Sequence, residues 1–362
     1  MAKILLVHPG PDFSVADVFR GWYKALKALG HQVMVFNTNE RLMFYGRAVF
    51  EDHAQERCEH CERFPVRKAL EDPLAVASLS TEGLLAECYR SRPDIVWFVS
   101  GFFQSGDNLR LIRGRGHKIV MLHTESPYQD DEQMKRGQWA HLNLLNDPAN
   151  IGKWADLGSA YTAYVPHSYD PDVHYPDYAG SKEYDFAFVG TAFKSRCEFF
   201  SHLLPPMEAA GVRIGLGGNA WDMIDEEDRW LLRYVGHDPR TCVDNDETAR
   251  VYRETKTGIN FYRRESEDTH KNEGVAMGPR EVEMAASGLF FARDPRPESD
   301  ETFPMLPVFS SPDEAREILS WYIGHDEERQ TAADLALTAV QDRTFDNRAK
   351  EVMILMERMN LL

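Results

Sequence analysis

Short apolar runs open the chain, and a helix-periodic stretch separates the first two of them. KILLVHPG, from residue 3, predicts a buried strand, and HQVMVFN, from residue 31, predicts a second. Between them, SVADVFRGWYKALKALG places apolar residues at helical spacing, and Gly30 is expected to end that helix as a C-cap. Strand, helix and strand in this order make a βαβ unit, which implies a parallel sheet.

The same alternation continues along the first half of the chain. Further strands are predicted at 93–101 (PDIVWFVSG), 117–125 (HKIVMLHTE) and 159–168 (SAYTAYVPHS). The segment 39–92 is predicted to be mostly helical and carries many charges. The composition then shifts at 169–185, which is rich in proline, glycine and aspartate and is interpreted as a linker.

A second series of elements follows the linker. Strands are predicted at FAFVG, VRIGLGG, YVG, TGINFY and GLFFAR and near 305–310, and helices at 195–210, 246–254, 280–287, 313–323, 326–341 and 345–360. Two Rossmann-like α/β halves joined by one linker follow from this order. The predicted domains are 1–170 and 180–345.

The last helix, 346–362, is predicted to return to the first domain. Its apolar residues Val352, Ile354, Leu355 and Met359 recur near helical spacing, although the second half already has a complete βα series without it. The alternative is an amphipathic helix packed only on its own domain.

The net charge of the protein argues against some classes of binding partner. The formal net charge of −17 argues against long-range attraction to nucleic acid or anionic lipid. The one basic strip, RLIRGRGHK at 110–118, is more typical of a solvated loop. No secretory signal or membrane span is visible, and the odd cysteine number, five, does not form a disulfide framework. A cytoplasmic protein is expected.

Ligands of parallel α/β sheets bind at the carboxyl ends of the strands. In the first half this edge is predicted to hold the following side chains: His8, Ser100, His123, Glu125 and His167. In the second half, Gly190 and Thr191 follow a strand, with Lys194 and Arg196 close behind. Backbone N–H groups, a helix dipole and basic side chains suit a phosphate, although an ordinary strand–helix turn has the same pattern. GxGxxG and GxxxxGK[ST] are both absent.

GPREVEMAASGLFFARD, at 278–294, joins a glycine loop to a helix and a buried strand. Arg280 and Glu283 are three residues apart and are predicted to share one helix face. An arginine there can bind a phosphate and a carboxylate can bind the two hydroxyls of a ribose. A surface ion pair, stabilising by only about 0.2–0.5 kcal/mol, is the plain alternative.

These motifs occur in an order that resembles one family. FVGTAFKSR, RIGLGGNAW, YVGHD, VYRETKTGINFYR, GPREVEMAASGLFFARD and VFSSPDEAREIL, between 186 and 320, resemble the C-terminal half of CgeB-like glycosyltransferases, the spore-maturation-protein group. HTESPY and VPHSYDPDVHYP are similar to parts of its N-terminal half. The resemblance implies a GT-B fold, which has two Rossmann-like domains, an interdomain cleft and a final helix crossing back to the first domain.

The resemblance also implies a donor site. Gly190, Lys194 and Arg196 would face the donor diphosphate, Glu283 would bind the ribose and Arg280 would support it. The nucleobase would lie against Gly217 to Trp221 and Val235 to Gly236. The remaining donor-site candidates are Thr191, Asn260, Arg263, His270, Lys271 and Gly278, and which of Arg263, His270 and Lys271 reaches the phosphates stays open.

The implied reaction moves a sugar from a nucleotide sugar, such as a UDP-sugar, to an acceptor hydroxyl. Arg196 and Lys194 would stabilise the departing diphosphate. His123, Glu125 or His8 would take the acceptor proton if the configuration inverts, and the departing phosphate would take it if the configuration is retained. No cofactor or metal is expected, because no DxD stands at a strand end; Asp130 to Glu132 are interpreted as a solvated helix start.

Other signals are weaker. Cys58 and Cys61 have CxxC spacing beside His53 and His60, but no second ligand pair lies nearby, so ordinary thiols are favoured over zinc. Trp97, Trp139 and Trp154 are expected in the core rather than against sugars. A sugar-nucleotide epimerase and a non-catalytic nucleotide-binding module remain as alternative functions. The acceptor is open among a polysaccharide, a protein, a small molecule and a hydroxymethylated DNA base, the last disfavoured by charge.

Overall fold

The computed structural model describes residues 1–10, 14–46, 73–155, 161–265 and 274–362. The chain divides into two compact units. The first unit is Met1–Val165 with Ala349–Leu362, and the second is Pro166–Arg348. Cys58, Cys61, His270 and Lys271 lie outside the described residues, so the predictions made for them are not addressed by the structure.

The first unit is built on a parallel sheet with strand order β2-β1-β3-β4-β5-β6. The strands are β1 (Lys3–Val7), β2 (Gln32–Phe36), β3 (Ile95–Val99), β4 (Lys118–His123), β5 (Leu142–Leu145) and β6 (Tyr161–Tyr164). The helices among the described residues are α1 (Ser14–Ala28), α2 (Thr38–Gly46), α3 (Pro73–Ser91), α4 (Gly106–Gly114), α5 (Asp130–Gly137) and α6 (Ile151–Ala155).

The first helix shows why the pattern folds this way. Val15, Phe19, Trp22 and Leu26 recur at helical spacing, and all four are buried. The chain then leaves the helix at Gly30, whose φ of +83° belongs to the left-handed region that glycine adopts without strain. Burial of one helical stripe against the sheet therefore accounts for the β1-α1-β2 unit.

The second unit contains a parallel sheet with strand order β10-β9-β7-β8. Its strands are β7 (Tyr184–Val189), β8 (Ile214–Gly217), β9 (Thr255–Asn260) and β10 (Phe290–Arg293). Its helices among the described residues are α7 (Lys194–Ala209), α8 (Asn245–Arg253), α9 (Pro279–Ala286), α10 (Pro297–Thr302), α11 (Pro312–Gly324) and α12 (Asp326–Val340), with a 3₁₀ segment at Glu226–Tyr234. Phe186 and Phe188 pack into one core with Phe200, and Val189 packs into another with Val282, as strand alternation requires.

Several short elements differ from their predictions. Leu142–Leu145 is a strand that the sequence did not predict, because a four-residue stretch with three leucines carries too little periodicity. The strands predicted at YVG and near 305–310 are reduced to the isolated bridges Leu216↔Val235 and Arg293↔Val308. The prediction of two parallel α/β domains is confirmed.

The last helix, α13 (Phe345–Arg358), begins in the second unit, and the chain from Ala349 onward belongs to the first. Its buried face consists of Ala349, Val352, Met353 and Met356, whereas Ile354 is 49% exposed. Near its end, Lys118 Nζ donates to the carbonyl of Asn360 at 3.2 Å. The terminal residues therefore pack with the first sheet on a face slightly rotated from the predicted one.

None of the described helices combines the length and the apolar character that crossing a membrane requires.

Candidate functional site

Two glycine backbones meet at the carboxyl ends of β7 and β8 in the second unit. Gly190 N donates to Gly217 O at 2.8 Å. Gly218 has a φ of +123°, and a Cβ added there would lie 2.2 Å from Gly190 O. Both the left-handed backbone and the close approach restrict position 218 to glycine. The loops after the two strands are thus held against each other without side chains between them.

Arg280 from α9 extends along this glycine pair. Its Nε donates to Val189 O at 2.6 Å, and its Nη1 donates to Asn260 Oδ1 at 3.2 Å. The guanidinium lies 4.8 Å from the centre of the Phe188 ring. A Cβ at Gly190 would come within 2.3 Å of Arg280 Nη2, so the arginine occupies the space that the glycine leaves. Gly190, Asn260 and Arg280, all predicted donor-site residues, are brought together here.

Asn260, at the end of β9, has an unsatisfied donor at this point. An arginine offers only donors, so the side chain must turn Oδ1 toward Arg280 and Nδ2 away. The residue is 1% exposed, and its Nδ2 has no hydrogen-bond partner among the described residues. A buried unpaired donor costs about 1–3 kcal/mol. A ligand acceptor atom at this position would remove that cost.

Two glutamates of α9 have different surroundings. Glu281 is fully buried and accepts from Gly278 N at 2.9 Å, Ser299 Oγ at 2.6 Å and the Tyr262 hydroxyl. These bonds favour the ionised form, but burial outweighs them and raises the pKa of Glu281. The sequence analysis missed Glu281, although a glutamate three residues after a helix N-cap is a recognisable capping position.

Glu283 is only partly buried, and it lies near Tyr252 together with Arg280. Burial is the first cause that raises the pKa of Tyr252, and the charge of Glu283 adds to it. The positive charge of Arg280 acts in the opposite direction and lowers the pKa of Tyr252. The predicted Arg280–Glu283 pair thus shares a neighbour, whereas Glu281 points into the unit.

Arg196 differs from its predicted role. It is 5% exposed, its Nε and Nη2 both donate to Phe261 O at 3.1 and 3.0 Å, and its Nη1 donates to Thr191 O at 2.9 Å. These bonds tie the turn after β7 to the end of β9. This geometry favours a positioning role for Arg196 over direct contact with a leaving diphosphate.

Lys194 is exposed and pairs with Asp225 at 3.3 Å. The next residue, Ser195, donates through N and Oγ to the Glu265 carboxylate at 2.6 and 2.9 Å. Burial raises the pKa of Glu265, but these hydrogen bonds outweigh it and the pKa is lowered. A protein carboxylate therefore occupies the first turn of α7, where a phosphate was predicted.

The other residues predicted for the donor site are only partly brought together at this place. Trp221 is fully buried in the core with Phe200 and Leu231, so its ring does not face a ligand. Gly217 lies beside His237, whose Nε2 accepts from Gly218 N at 3.1 Å, and Gly236 is exposed on the same loop. The Arg263 guanidinium lies 5.4 Å from the centre of the Phe193 ring.

Carboxylates that resemble a metal site also occur in the second unit. Asp225, Glu227 and Asp228 bring one ligand atom each within 4.8 Å of one another. Asp225 already pairs with Lys194, and Asp228 accepts from Ser201 Oγ at 2.9 Å. Two of these three carboxylates therefore already bind side chains of the protein itself.

In the first unit, the predicted residues follow the carboxyl ends of β1, β3 and β4. His8 is buried, its Nδ1 accepts from Gly10 N at 3.3 Å, and its ring meets Phe19 edge-on at 4.6 Å. Ser100 Oγ lies 2.6 Å from Thr124 Oγ1. His167 lies in the second unit.

His123 is fully enclosed. Its ring lies 4.4 Å from Trp154, and its Nε2 is 2.9 Å from Asn143 Oδ1. Burial is the main cause that lowers the pKa of His123 to about 3, and Arg136 adds to it. A ring without solvent access does not reach an acceptor hydroxyl, so the structure does not support His123 as the base. Glu125, by contrast, is partly exposed, and its main-chain N donates to Gln133 Oε1 at 3.0 Å.

The interpretation of Asp130 to Glu132 as a solvated helix start is wrong in part. They do begin α5, but Asp130 is 2% exposed and binds Ser126 Oγ at 2.5 Å and Asn150 Nδ2 at 2.6 Å. Trp97 and Trp154 are fully buried, as expected, and Trp139 packs against the core.

Comparisons with known proteins agree with this geometry. Residues 196–354 match the model of a family described as glycosyl transferase-like. Sucrose-phosphate synthase from Thermosynechococcus elongatus has a similar structure, with a TM-score of 0.67, 12% identity and coverage of 99% of both chains. The trehalose-6-phosphate synthase of E. coli bound to UDP-2-fluoro glucose has a TM-score of 0.59 and 13% identity, covering 98% of this chain and 99% of the other.

A third similar structure, the α,α-trehalose 6-phosphate synthase of Burkholderia multivorans, has a TM-score of 0.60 and 12% identity, and covers 99% of this chain and 97% of the other. Among curated proteins no match is found. Because the sequence identities are low, the structural matches define only the fold. The match to the family model confirms the prediction of a glycosyltransferase. Residues 196–354 are thus similar to a glycosyl transferase-like family, in a chain whose two parallel-sheet units have the GT-B fold.

Proposed function

We propose that this protein transfers a sugar from a nucleotide diphosphate sugar to an acceptor hydroxyl, and that it is a CgeB-like enzyme. The observation that carries the proposal is the unpaired Asn260 Nδ2 beside Arg280 and Gly190, at the carboxyl ends of β7 and β9. A guanidinium and an amide donor, held by bonds to each other and to Val189 O, are suited to an anion. A diphosphate is the anion that glycosyl transfer releases.

The chemistry follows from where charge develops. The bond between the sugar C1 and the diphosphate oxygen breaks, and its electron pair leaves with the diphosphate. The acceptor oxygen forms the new bond to C1 and loses its proton. Arg280 and Asn260 Nδ2 would stabilise the growing negative charge, because both donors are preorganised by bonds to Val189 O and to each other. This charge stabilisation needs no bound metal, and we propose a metal-independent reaction.

Glu283 is the candidate for the ribose. It is partly exposed on α9, three residues after Arg280, and both side chains influence Tyr252. A carboxylate can accept two hydrogen bonds from a vicinal diol. The protein whose structure contains UDP-2-fluoro glucose shares this fold, so a UDP-sugar is the first donor to test.

Burial reduces the number of side chains that could take the proton of the acceptor hydroxyl. His123 is enclosed, which leaves Glu125 and His8 as side-chain candidates if the configuration inverts. If it is retained, the departing diphosphate takes the proton. Analysis of the anomeric configuration of the product by NMR separates the two routes.

Calorimetry with UDP, GDP, ADP and TDP tests the donor site. The wild type is expected to bind one of them, and Glu283→Ala should weaken that binding roughly ten- to a hundredfold, since hydrogen bonds to charged groups contribute about 1.5–3 kcal/mol. Asn260→Asp should also weaken it, because it places a second negative charge beside the phosphates while keeping an acceptor for Arg280. Glu317→Ala, an exposed glutamate on α11, is the matched control and should change nothing.

Product analysis then separates this proposal from its alternatives. Mass spectrometry of incubations with nucleotide sugars should show a free nucleoside diphosphate and a glycosylated acceptor. An isomerised nucleotide sugar without an acceptor product would indicate an epimerase. Binding without turnover on any acceptor tested would indicate a nucleotide-binding module, and no binding of any nucleotide would contradict the proposal.

A further inference from the structure

One arginine in the first unit has no hydrogen-bond partner for its side chain among the described residues. Arg136 stands in the last turn of α5, and its guanidinium lies 5.7 Å from the centre of the Phe102 ring. Its Nε and Nη2 are buried and donate to no hydrogen-bond partner among the described residues. Gly101 lies beside this side chain, since a Cβ added there would be at van der Waals distance, 3.8 Å, from Arg136 Cδ.

The unpaired edge carries a free-energy cost. Burial lowers the pKa of Arg136, but a guanidinium stays protonated in proteins. Glu132 and Glu125 act on it through space and raise the pKa, but neither forms a hydrogen bond with it within the described parts of the chain. The two carboxylates therefore partly offset the positive charge of Arg136, but no acceptor among the described residues binds the N–H groups of Nε and Nη2. Each buried unpaired donor costs about 1–3 kcal/mol, and more when it is charged.

The position of Arg136 is that of a ligand site. Gly101 and Phe102 directly follow β3, and β1 lies beside β3 at the point where the strand order β2-β1-β3-β4 changes direction. Ligands of open parallel sheets bind at this switch point, outside the carboxyl ends of the strands. Ser100, Gly101 and Phe103 all have positive φ, at 59°, 65° and 66°. Such strained backbones are concentrated at functional sites.

We propose that Arg136 binds an oxyanion, either a phosphate or a carboxylate, carried by the acceptor. The Nε–Nη2 edge of a guanidinium matches two oxygens of one oxyanion with two parallel hydrogen bonds. Arg136 as a whole is only partly buried, so a rotation of the side chain would present this edge to a ligand. The proposal names the acceptor class and rests on the glycosyl transfer proposed above.

Calorimetry on the full chain tests the site with two probes, inorganic phosphate and acetate. UDP is added to saturation beforehand, so that phosphate does not enter the proposed donor site. Arg136→Gln should weaken binding of the preferred probe at least tenfold, and Arg136→Lys should weaken it less, because it keeps the charge but loses the paired donors. Arg110→Gln is the matched control, since Arg110 is exposed on α4 of the same unit and pairs only weakly with Asp107 at 3.5 Å.

The outcomes are separable. Preference for phosphate identifies a phosphorylated acceptor, and preference for acetate identifies a carboxylated one. Arg136→Gln should not lower the melting temperature, because it removes donors that nothing satisfies; this distinguishes a ligand-binding arginine from a structural one. Equal probe affinity in wild type and Arg136→Gln, or no affinity in the wild type, would overturn the proposal. UDP binding is measured in the same titrations, so a failed donor site is recognised independently.

Discussion

The carboxyl edges of the two sheets carry similar predicted chemistry but are organised differently. In the second unit, Arg280 and Asn260 bind each other and leave one donor open next to two glycine backbones. In the first unit, His123 packs inside against Trp154, and the charged group with unpaired donors among the described residues is Arg136, which no motif indicated. Polar side chains at a strand end therefore locate a site, but tertiary packing decides which of them face a ligand.

The largest expected effect comes from the glycine contact in the second unit. Gly218→Ala would bring a Cβ within 2.2 Å of Gly190 O at a φ of +123°, so we expect a loss of about 3 kcal/mol or more in the free energy of unfolding. Urea denaturation measures it. Gly114→Ala, in a helix with nothing within 4 Å of the added Cβ, should instead be neutral or stabilising. Equal stability of the two variants would show that the glycine backbones do not hold this edge.

Substitution of Glu281 tests a structural role on α9, the same helix that carries the proposed ribose-binding residue Glu283. Its raised folded-state pKa means that the folded protein holds the proton more tightly than the unfolded chain. Wild-type stability relative to Glu281→Gln should therefore fall as pH rises above about 4.5, the usual pKa of an exposed glutamate. Chemical denaturation from pH 4 to 8 checks this. A pH-independent difference between wild type and Glu281→Gln would contradict the raised pKa of Glu281.

His123 should give the opposite trend in the first unit. Its folded-state pKa is lowered from 6.5 to about 3, so the folded ring stays neutral while the unfolded chain takes up a proton. Stability relative to His123→Gln should be complete above about pH 6.5 and be lost as pH falls, by about 2 kcal/mol at pH 5. Acid titration of the unfolding free energy measures this. A pH-rate profile that titrates at His123 would instead restore it as a candidate base.

The smallest effect is expected at Lys194. Its pair with Asp225 is exposed, so Lys194→Gln should leave the melting temperature unchanged. Rapid-quench kinetics then show whether Lys194 acts on the leaving group: a slower chemical step with unchanged UDP affinity would support that prediction, and an unchanged rate would remove it. Arg229→Gln, which removes a similar exposed pair with Glu226, is the control.

Much of the site followed from local sequence. Gly190 and Arg280 were predicted, because a strand end followed by a glycine turn and the first turn of a helix can each be recognised within a few residues, and Asn260 was implied by the resemblance to CgeB-like glycosyltransferases. Glu265 and Glu281 were not, because their partners lie 70 and 18 residues away, at Ser195 and Ser299. Arg196 is a basic residue close behind a glycine turn, as expected of a phosphate ligand. Its hydrogen bonds to Phe261 O could not be predicted from the sequence, because they span 65 residues.

The sequence by itself determined the alternation of strands and helices, the two parallel α/β halves and the order of the donor-site motifs, because periodicity and turn chemistry are local properties of the chain. Only the tertiary structure decided that His123 and Trp221 are enclosed and that Ala349–Leu362 packs with the first unit. It also decided that, within the described parts of the chain, Asn260 Nδ2 and Arg136 Nε and Nη2 have no hydrogen-bond partner. Burial and hydrogen-bond satisfaction depend on residues distant in the chain, and it is these two properties that separate a ligand-binding side chain from a structural one.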